Sequence, residues 1–419
     1  MGDRKGSPYM KVFVEEMEKS GKKVEKRKIA LFFGGNSPEH DISIITALSI
    51  AGAIDSSNYE VIPVYADKEN RFYTGVELLQ RKNYYLSDKT KKAIDVVNIA
   101  INPTTSAPTL RVENDSRLAK AKYIDFDIAM PAFHGGSGED GAFVGLLEFL
   151  NIPYTGPRAM ASKIVMNKYL AKELFRNAGI NILPSNLLIR DNKTEFLDLA
   201  SYVDQISIDY PLCVKPCNLG SSIGVNIVNN EPELKAAITE IFKIDNQILV
   251  EPFVEKLVEF NVSVSRAFGE IRISAIEKPL CQGELLDFKT KYLNGKTREA
   301  KLSVPSSEGM ASLLRDLNPS DLSVKQRELI NSYAKTAFDL ISGSGAPRID
   351  FLCNSKTGEI WLNEINPLPG SFAYYLWEVA DKKVNFTKLL SALIEEGFQI
   401  KKSNNIITDS LQTGSNIFD

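Results

Sequence analysis

Arg348-Ile349-Asp350-Phe351, a turn at Asn354-Ser355-Lys356-Thr357-Gly358, and Glu359-Ile360-Trp361-Leu362-Asn363-Glu364-Ile365-Asn366 form the stretch on which the reading of this chain turns. It predicts a β-hairpin. Strand side chains alternate between faces, so Arg348 and Asp350 share one face of the first strand, and Glu364 and Asn366 share one face of the second. In matching register four polar groups converge on one patch. Two carboxylates and an amide oxygen among Ile, Phe, Leu and Trp repel one another unless a cation sits between them. All-oxygen ligation suits Mg²⁺, which keeps waters and shares ligands with phosphates. Arg348 adds a planar donor fork for an oxyanion. The plainer alternative is an exposed hairpin whose polar residues face water.

Upstream, Leu212-Cys213-Val214-Lys215-Pro216 runs into Asn218-Leu219-Gly220-Ser221-Ser222-Ile223-Gly224, a strand followed by a glycine and serine loop. Successive N–H groups and hydroxyls there can wrap phosphate oxygens, with Lys215 supplying charge, although GxxxxGK[ST] is absent. A hairpin turn that needs glycine for its backbone explains the same residues. Nearer the N-terminus, a strand at Lys28–Phe33, the break Gly34-Gly35-Asn36-Ser37-Pro38, a helix over 41–54 and a strand at Tyr59–Tyr65 make a βαβ unit. A strand at Phe126–Met130 leads through His134-Gly135-Gly136-Ser137-Gly138-Glu139-Asp140-Gly141 into a helix from Ala142 to Leu150. Glu139 and Asp140 read as helix-capping acids, and Gly34-Gly35 as a dinucleotide turn lacking GxGxxG. His40 reads as a cap for the helix after it. Beyond Gly156-Pro157 come a helix over 159–179 and strands at 212–216, 224–229, 247–250, 259–267 and 270–277.

The 419 residues allow several packed cores. Residues 1–27 are a charged extension with a short amphipathic helix through Val12, Phe13 and Met17. Residues 28–156 make an open α/β domain, 157–254 a small α+β lobe, and 255–402 a larger lobe. A mobile loop is expected at about 282–325 and a disordered tail at 403–419. Hydrophobic residues at 43% and charged residues at 25% exclude disordered and fibrous classes. Lys plus Arg 50 against Asp plus Glu 53 gives a net charge of -3, which argues against nucleic acid as the main partner. Four cysteines without a CxxC pair read as core thiols of a reducing compartment, and two histidines without HExxH argue against zinc. No apolar run is long enough for a membrane span and the charged start is no signal peptide, so the expected location is cytoplasmic.

Taken in order, these segments resemble the D-alanine:D-alanine ligase family of the ATP-grasp superfamily, over roughly Lys28 to Gln399. The likeness rests on Gly34 to His40, His134 to Gly141, Lys215 to Gly224, Lys291-Tyr292, Arg348-Ile349-Asp350, and Asn363-Glu364-Ile365-Asn366-Pro367-Leu368-Pro369-Gly370. The resemblance implies an α/β and α+β chain, an open α/β N-terminal domain followed by a two-lobed ATP-grasp fold. It implies ATP-dependent joining of two D-alanine molecules through an acyl phosphate, for peptidoglycan precursors. ATP is the co-substrate and Mg²⁺ the metal, with Mn²⁺ able to stand in; the expected assembly is a homodimer. Carried over residue by residue, Asp350, Glu364 and Asn366 hold the metal, and Lys168 and Lys215 neutralise phosphate charge. Ser221-Ser222 folds over the γ-phosphate, Glu251 and Glu259 flank the nucleotide, and Lys291 joins the ATP-binding set. Glu39 grips the first D-alanine, Ser221 and Tyr292 link it to the loop bearing Lys291, and Arg348 with the Gly370 N–H stabilises the oxyanion. His134 and Ser371 complete the substrate set. The departure lies after Asn-x-x-Pro-Gly, where the family carries small hydroxyl residues and this chain has Ser371-Phe372-Ala373-Tyr374-Tyr375. Those aromatics either pack in the core, leaving Ser371 or a tyrosine hydroxyl for the acceptor carboxylate, or reshape the acceptor pocket.

Overall fold

The structure, a computed structural model, describes residues 25–84, 93–113, 120–191, 197–280 and 315–411, with side chains to residue 404. The N-terminal helix expected through Val12 to Met17, Lys291, Tyr292 and Cys281 lie outside these residues. Cys217 and Cys353 are buried and Cys213 is partly so.

Strand β1 (Arg27–Gly34) is buried from Ile29 onward because both its faces are covered. Ile29, Leu31 and Phe33 face one core, and Ala30 and Phe32 the other, as a period of two requires. It lies parallel to β2 (Tyr59–Ala66) on one side and β7 (Ile128–Pro131) on the other, with helix α1 (His40–Ala53) in the crossover. The sequence reading contains this βαβ unit but not the wing beside it. Strands β3 (Phe72–Thr74), β4 (Asp95–Ile101), β5 (Pro108–Val112) and β6 (Lys122–Asp125) extend the sheet antiparallel, in the order β6-β5-β4-β3-β2-β1-β7. At the end of β1, Gly34 has φ 91°, and a Cβ there would sit 2.2 Å from the Ala66 carbonyl oxygen, so only glycine lets the chain turn into α1. His40 does not cap that helix: its Nδ1 lies 2.7 Å from the Gly35 carbonyl oxygen and its Nε2 3.1 Å from the Tyr65 hydroxyl.

Helix α2 (Ala142–Phe149) closes the other face of this sheet. The single helix expected over 159–179 is two, α3 (Ala159–Met166) and α4 (Lys168–Asn177). Asn167 leaves helical geometry and its side chain accepts the Leu170 N–H, so a residue inside the apolar pattern caps a new helix. A second sheet, β10-β9-β11-β8, is antiparallel and comprises β8 (Asn186–Ile189), β9 (Leu212–Pro216), β10 (Asn226–Val228) and β11 (Gln247–Pro252). Helix α5 (Glu231–Ile241) covers it with Leu234, Ile238 and Ile241, at i, i+4 and i+7.

The third sheet runs β15-β14-β12-β16-β17, with β13 paired to β12. Its strands are β12 (Leu257–Ser265), β13 (Arg272–Ile273), β14 (Glu277–Pro279), β15 (Arg315–Leu317), β16 (Arg348–Asn354) and β17 (Ile360–Asn366). The one strand expected over 270–277 divides because the Ala275 N–H leaves the ladder for the Leu376 carbonyl. Helix α6 (Val324–Leu340) starts at a capping box of Ser323 and Gln326 and buries Ile330, Ala334, Ala337 and Phe338. The loop expected to reach 325 therefore ends sooner: β15 and the α6 cap occupy 315–325, and the rest of that loop is outside the described residues. Helices α7 (Tyr374–Glu378) and α8 (Phe386–Leu411) follow. The tail expected to be disordered from 403 continues as helix to Leu411, since extending a formed helix adds one hydrogen bond per residue fixed.

Helix α8 returns the chain to the first sheet, with Leu389, Leu390, Leu393 and Ile394 in the core shared with β1 and α1. At this junction the Ser344 hydroxyl donates to the Gly156 carbonyl at 2.8 Å, and Glu396 accepts the Gly345 N–H at 2.8 Å. Burial pushes the Glu396 carboxyl up to about 7. A carboxyl raised on folding contributes stability that is complete below its unfolded value and is lost as pH rises through the folded one. We therefore expect this contribution to fade between about pH 5 and 8, and Glu396→Gln to flatten that part of the melting-temperature profile. An unchanged slope in the variant would remove Glu396 as its source.

Candidate active site

Pairing in the third sheet decides where its polar side chains go. Arg348 lies opposite Asn366 and Asp350 opposite Glu364, the matching register that brings the four together. A bulge follows: Phe351 pairs with Leu362, which leaves Asn363 unmatched and aimed at the second sheet, its Oδ1 3.3 Å from the Lys215 ammonium. The same row continues across β12 and β14, where Asn261 lies opposite both Asp350 and Glu277. Directly opposed residues share a face, so Glu277, Asn261, Asp350 and Glu364 form one polar line across four strands. Arg348 holds Asp350 by two hydrogen bonds of 2.7 Å, and Asp350 keeps its guanidinium charged against burial. Asn366 Oδ1 is buried and, among the described residues, accepts no hydrogen bond.

Facing this row, Lys168, Lys215, Glu251 and Glu259 line a single cleft with Asp350 and Glu364. Lys168 begins α4, where its ammonium donates to the Leu219 carbonyl at 2.6 Å and lies 3.4 Å from Glu364. Glu251 is 1% exposed and shared by two ammonium groups, Lys172 at 2.6 Å and Lys215 at 2.5 Å. Burial alone would raise Glu251; the two lysines outweigh it and hold its pKa below the usual carboxylate value. Burial likewise pushes Lys172 down, whereas for Lys215 the attraction of Glu251 wins over burial and the pKa rises. Lys215, kept charged by Glu251, faces the cleft as a cation suited to phosphate.

The serine loop crosses the mouth of this cleft. Ser221 and Ser222 take left-handed φ values of 52° and 57°, unfavourable for L-residues unless neighbours hold them. Two contacts do so: Lys168 on Leu219, and the Ser221 hydroxyl donating to Glu39. Glu39, at the start of α1, thus ties the first domain to the loop. Glu139 lies nearby and is not the helix cap that its position in sequence suggests; nor is Asp140, which accepts the Ala142 N–H at 3.0 Å while Gly141 occupies the cap position. Glu139 instead bridges two loops, accepting the Gly135 N–H at 2.6 Å and the Leu368 N–H at 3.4 Å. Burial, then the charge of Glu39, push its carboxyl up to about 8.

After β17 the chain passes Gly370 into Ser371, Phe372 and Ala373, three consecutive residues at φ 48°, 54° and 48°. The aromatics here pack inward: Phe372 is buried, Tyr374 stacks on Phe386 at 4.5 Å, and the Tyr375 hydroxyl donates to Glu277 at 2.9 Å. With its hydroxyl so engaged, Tyr375 leaves Ser371 as the hydroxyl residue of the turn. His134, expected among the substrate ligands, is 4% exposed and reaches the turn through Thr46. Thr46 Oγ1 accepts the Ser371 N–H at 3.3 Å, so its own proton goes to His134 Nε2, 2.8 Å away. The His134 proton then sits on Nδ1, toward the Leu368 carbonyl, and burial holds the ring neutral with a pKa of about 4. Sequence reading missed Thr46, Lys172, Asn363 and Glu139 as site residues; only Glu139 and Asn363 lay inside motifs it had singled out.

Among the described residues no three acidic, histidine or cysteine side chains gather as a metal site. The oxygen set Asp350, Glu364 and the unpartnered Asn366 Oδ1 fits a hard cation whose remaining ligands come from phosphate and water. No helix among the described residues is long and apolar enough to cross a membrane.

Comparison with known proteins finds matches along most of the chain. Residues 28–157 match the family model described as D-ala D-ala ligase N-terminus, and residues 174–395 match D-ala D-ala ligase C-terminus. The chain is 31% identical to the D-alanine--D-alanine ligase of Thermosipho africanus over 391 residues, covering 93% of this chain and 98% of the relative. It is 33% identical to that of Wolinella succinogenes over 369 residues, covering 87% and 92%. Among solved structures, the D-alanine-D-alanine ligase from Coxiella burnetii superposes with a TM-score of 0.72 at 25% identity, covering 92% of this chain and 98% of that one.

The shared carboxylate sets a stability test. Glu251→Gln leaves two buried ammonium groups without their anion, and removing one partner of a buried pair costs about 3–5 kcal/mol. We expect a clear drop in melting temperature, read by calorimetry; a loss under about 1 kcal/mol would mean that the lysines find other partners or shed their protons cheaply.

Proposed function

This chain belongs to the D-alanine–D-alanine ligase family, and we propose that it joins two D-alanine molecules at the cost of one ATP, the step that supplies the dipeptide of peptidoglycan precursors. The observation that carries the reading is the register of β16 against β17, which sets Arg348 opposite Asn366 and Asp350 opposite Glu364, the last two lining one cleft with Lys168 and Lys215. In the first step a carboxylate oxygen of the first D-alanine attacks the γ-phosphorus of ATP, the bond to the bridging oxygen breaks, and ADP leaves with an acyl phosphate formed. In the second, the amine of the second D-alanine, having lost a proton, attacks the carbonyl carbon; inorganic phosphate departs and the peptide bond remains.

Each residue has a task in this scheme. Lys168 and Lys215 lower the repulsion between an anionic donor and the phosphates, and Glu251 and Glu259 border the nucleotide. Ser221 and Ser222 close over the γ-phosphate and exclude water, which would hydrolyse the acyl phosphate. Glu39 receives the ammonium of the donor. Arg348 and the Gly370 N–H meet the oxyanion that develops on amine attack. Asp350, Glu364 and Asn366 would hold Mg²⁺, or Mn²⁺ in its place, and a metal held there would neutralise charge on the ATP phosphates. The family likeness extends the proposal to a homodimer, to Lys291 in the ATP-binding set and to Tyr292 as the partner of Ser221.

Phosphate release with Mg-ATP across D- and L-amino acids and D-lactate, with products identified by mass, tests the reading. D-alanine alone should support ADP and dipeptide formation, and activity confined to an L-amino acid would overturn it. Asp350→Asn and Glu364→Gln should each remove most turnover while the fold stays intact, since each deletes an anionic oxygen; near-normal rates at ordinary Mg²⁺ would dismiss the hairpin as the metal site. Arg348→Lys keeps the charge and loses the fork, so turnover should fall by about 10²–10³ with ATP affinity nearly unchanged. A lowered melting temperature with normal turnover per folded molecule would instead make Arg348 a structural partner of Asp350.

A further inference from the structure

The serine loop is fastened at its root as well as at its crown. Asn218, where the loop begins, donates its backbone N–H to Asp245 Oδ2 at 2.7 Å and its side-chain amide to Asp245 Oδ1 at 2.9 Å. One carboxylate thus takes two donors from one residue, an arrangement stronger than a pair of neutral contacts. Asp245 lies in the connection between α5 and β11 and also accepts the Gln247 N–H at 3.1 Å, which leaves it little freedom to turn.

The same root is tied to the helix that carries Lys168. Asn167 caps α4 with its oxygen, accepting the Leu170 N–H at 3.0 Å, and its amide nitrogen donates to Gln247 Oε1 at 2.7 Å and to Asn218 Oδ1 at 3.0 Å. A side-chain amide has two N–H protons, and this one uses both. The backbone adds two further ties: the Lys168 N–H donates to the Cys217 carbonyl, and the Cys217 N–H to the Gln247 carbonyl, both at 3.0 Å. Lys168, next in sequence to the cap, reaches the Leu219 carbonyl at 2.6 Å. The start of α4, the root of the loop and the start of β11 therefore form one unit, in which Lys168 and the loop move together.

Beyond that unit come Ser221 and Ser222, whose left-handed backbone persists only where the surroundings over-determine it. The crown meets Glu39 of the first domain through the Ser221 hydroxyl, and the root decides where the loop stands when that contact is made. Lys168, Leu219, Gly220 and Ser222 line the cleft, whereas Asn167, Asn218 and Asp245 do not. We infer that Asp245, Asn218 and Asn167 are positioning residues that set the serine loop where it shuts water out, and so decide whether the acyl phosphate passes to the amine or to water. The inference rests on the ligase reading above. In the wasteful branch a water oxygen bonds to the carbonyl carbon or to the phosphorus, and the anhydride C–O or P–O bond breaks. D-Alanine and inorganic phosphate leave, the protons of water pass to phosphate and solvent, and the net change is hydrolysis of ATP to ADP and phosphate.

The ratio of phosphate released to dipeptide formed, at saturating ATP and D-alanine, reads this choice and does not depend on how much of a variant is folded. Phosphate released without D-alanine is subtracted. From about one in the wild type, the ratio should rise to about two or more in Asp245→Ala, because a site that no longer excludes water loses its reactive intermediate to hydrolysis. Asp245→Asn keeps one acceptor oxygen and should lie between the two. Asn218→Ala removes the side-chain ties, keeps the backbone N–H on Asp245 and should also raise the ratio; Asn218 is exposed, so this variant carries the test should Asp245→Ala fold poorly. Reaction in water labelled with heavy oxygen identifies the source, since hydrolysis places label in D-alanine or phosphate and ligation places none. A ratio that stays near the wild-type value in both alanine variants, with rate or melting temperature lowered or not, would leave these ties a structural role alone and overturn the inference. Wild-type protein that makes no dipeptide from D-alanine overturns the ligase reading and the inference with it, so the wild-type arm tells the two failures apart.

Discussion

One buried carboxylate, Glu251, stands between Lys172 and Lys215, and the working parts of the cleft are arranged around that contact. Lys172 lies on α4, Lys215 on β9 and Glu251 on β11, so the ion pairs fasten a helix packed on the third sheet to the second sheet. Lys168 precedes Lys172 by four residues and shares its helix face. Fixing Lys172 therefore also aims Lys168, which reaches the Leu219 carbonyl of the serine loop and approaches Glu364. A lone buried ammonium would lose its proton or its place; Glu251 keeps Lys215 charged against burial, while burial still pushes Lys172 down. The Lys215 charge is what a polyphosphate requires of the wall it meets.

The opposite wall depends on register. A slip of one residue between β16 and β17 would turn Glu364 and Asn366 away from Asp350 and Arg348 and empty the patch. The bulge after Asp350 keeps the polar pairs in step while freeing Asn363 to meet Lys215. The two walls are thereby joined through an amide as well as through Lys168 and Glu364, and the cleft is set by both sheets together.

What could be seen in the sequence was local. Alternation in the hairpin was enough to pair Arg348 with Asp350 and Glu364 with Asn366 on common faces, and the glycine and serine run marked the loop. Contacts made across long separations carried no local mark. Lys172 looks like any solvated helix lysine until a strand some 80 residues on supplies Glu251. Thr46 sits in an apolar helix and finds the turn at Ser371 only through tertiary folding. Arg315 fell inside a stretch that reads as loop by its composition, yet it forms an edge strand because β14 offers it a ladder. The antiparallel wing of the first sheet was missed for the same reason: short strands depend on neighbours more than on their own residues.

The pairing of Arg348 with Asp350 bears on whether one arginine can serve both structure and chemistry. Its Nε and Nη2 each donate one hydrogen bond to the carboxylate, along one edge of the guanidinium. A guanidinium carries five N–H donors in a rigid plane, so three remain, directed away from that edge. Asp350 thus does for Arg348 what an orienting carboxylate does for a catalytic base: it fixes the plane and leaves the working edge presented. A lysine could satisfy Asp350 or reach an oxyanion, but its single nitrogen has no second edge whose direction the first contact determines. The choice of arginine follows from needing one charge to be held on one side and used on the other.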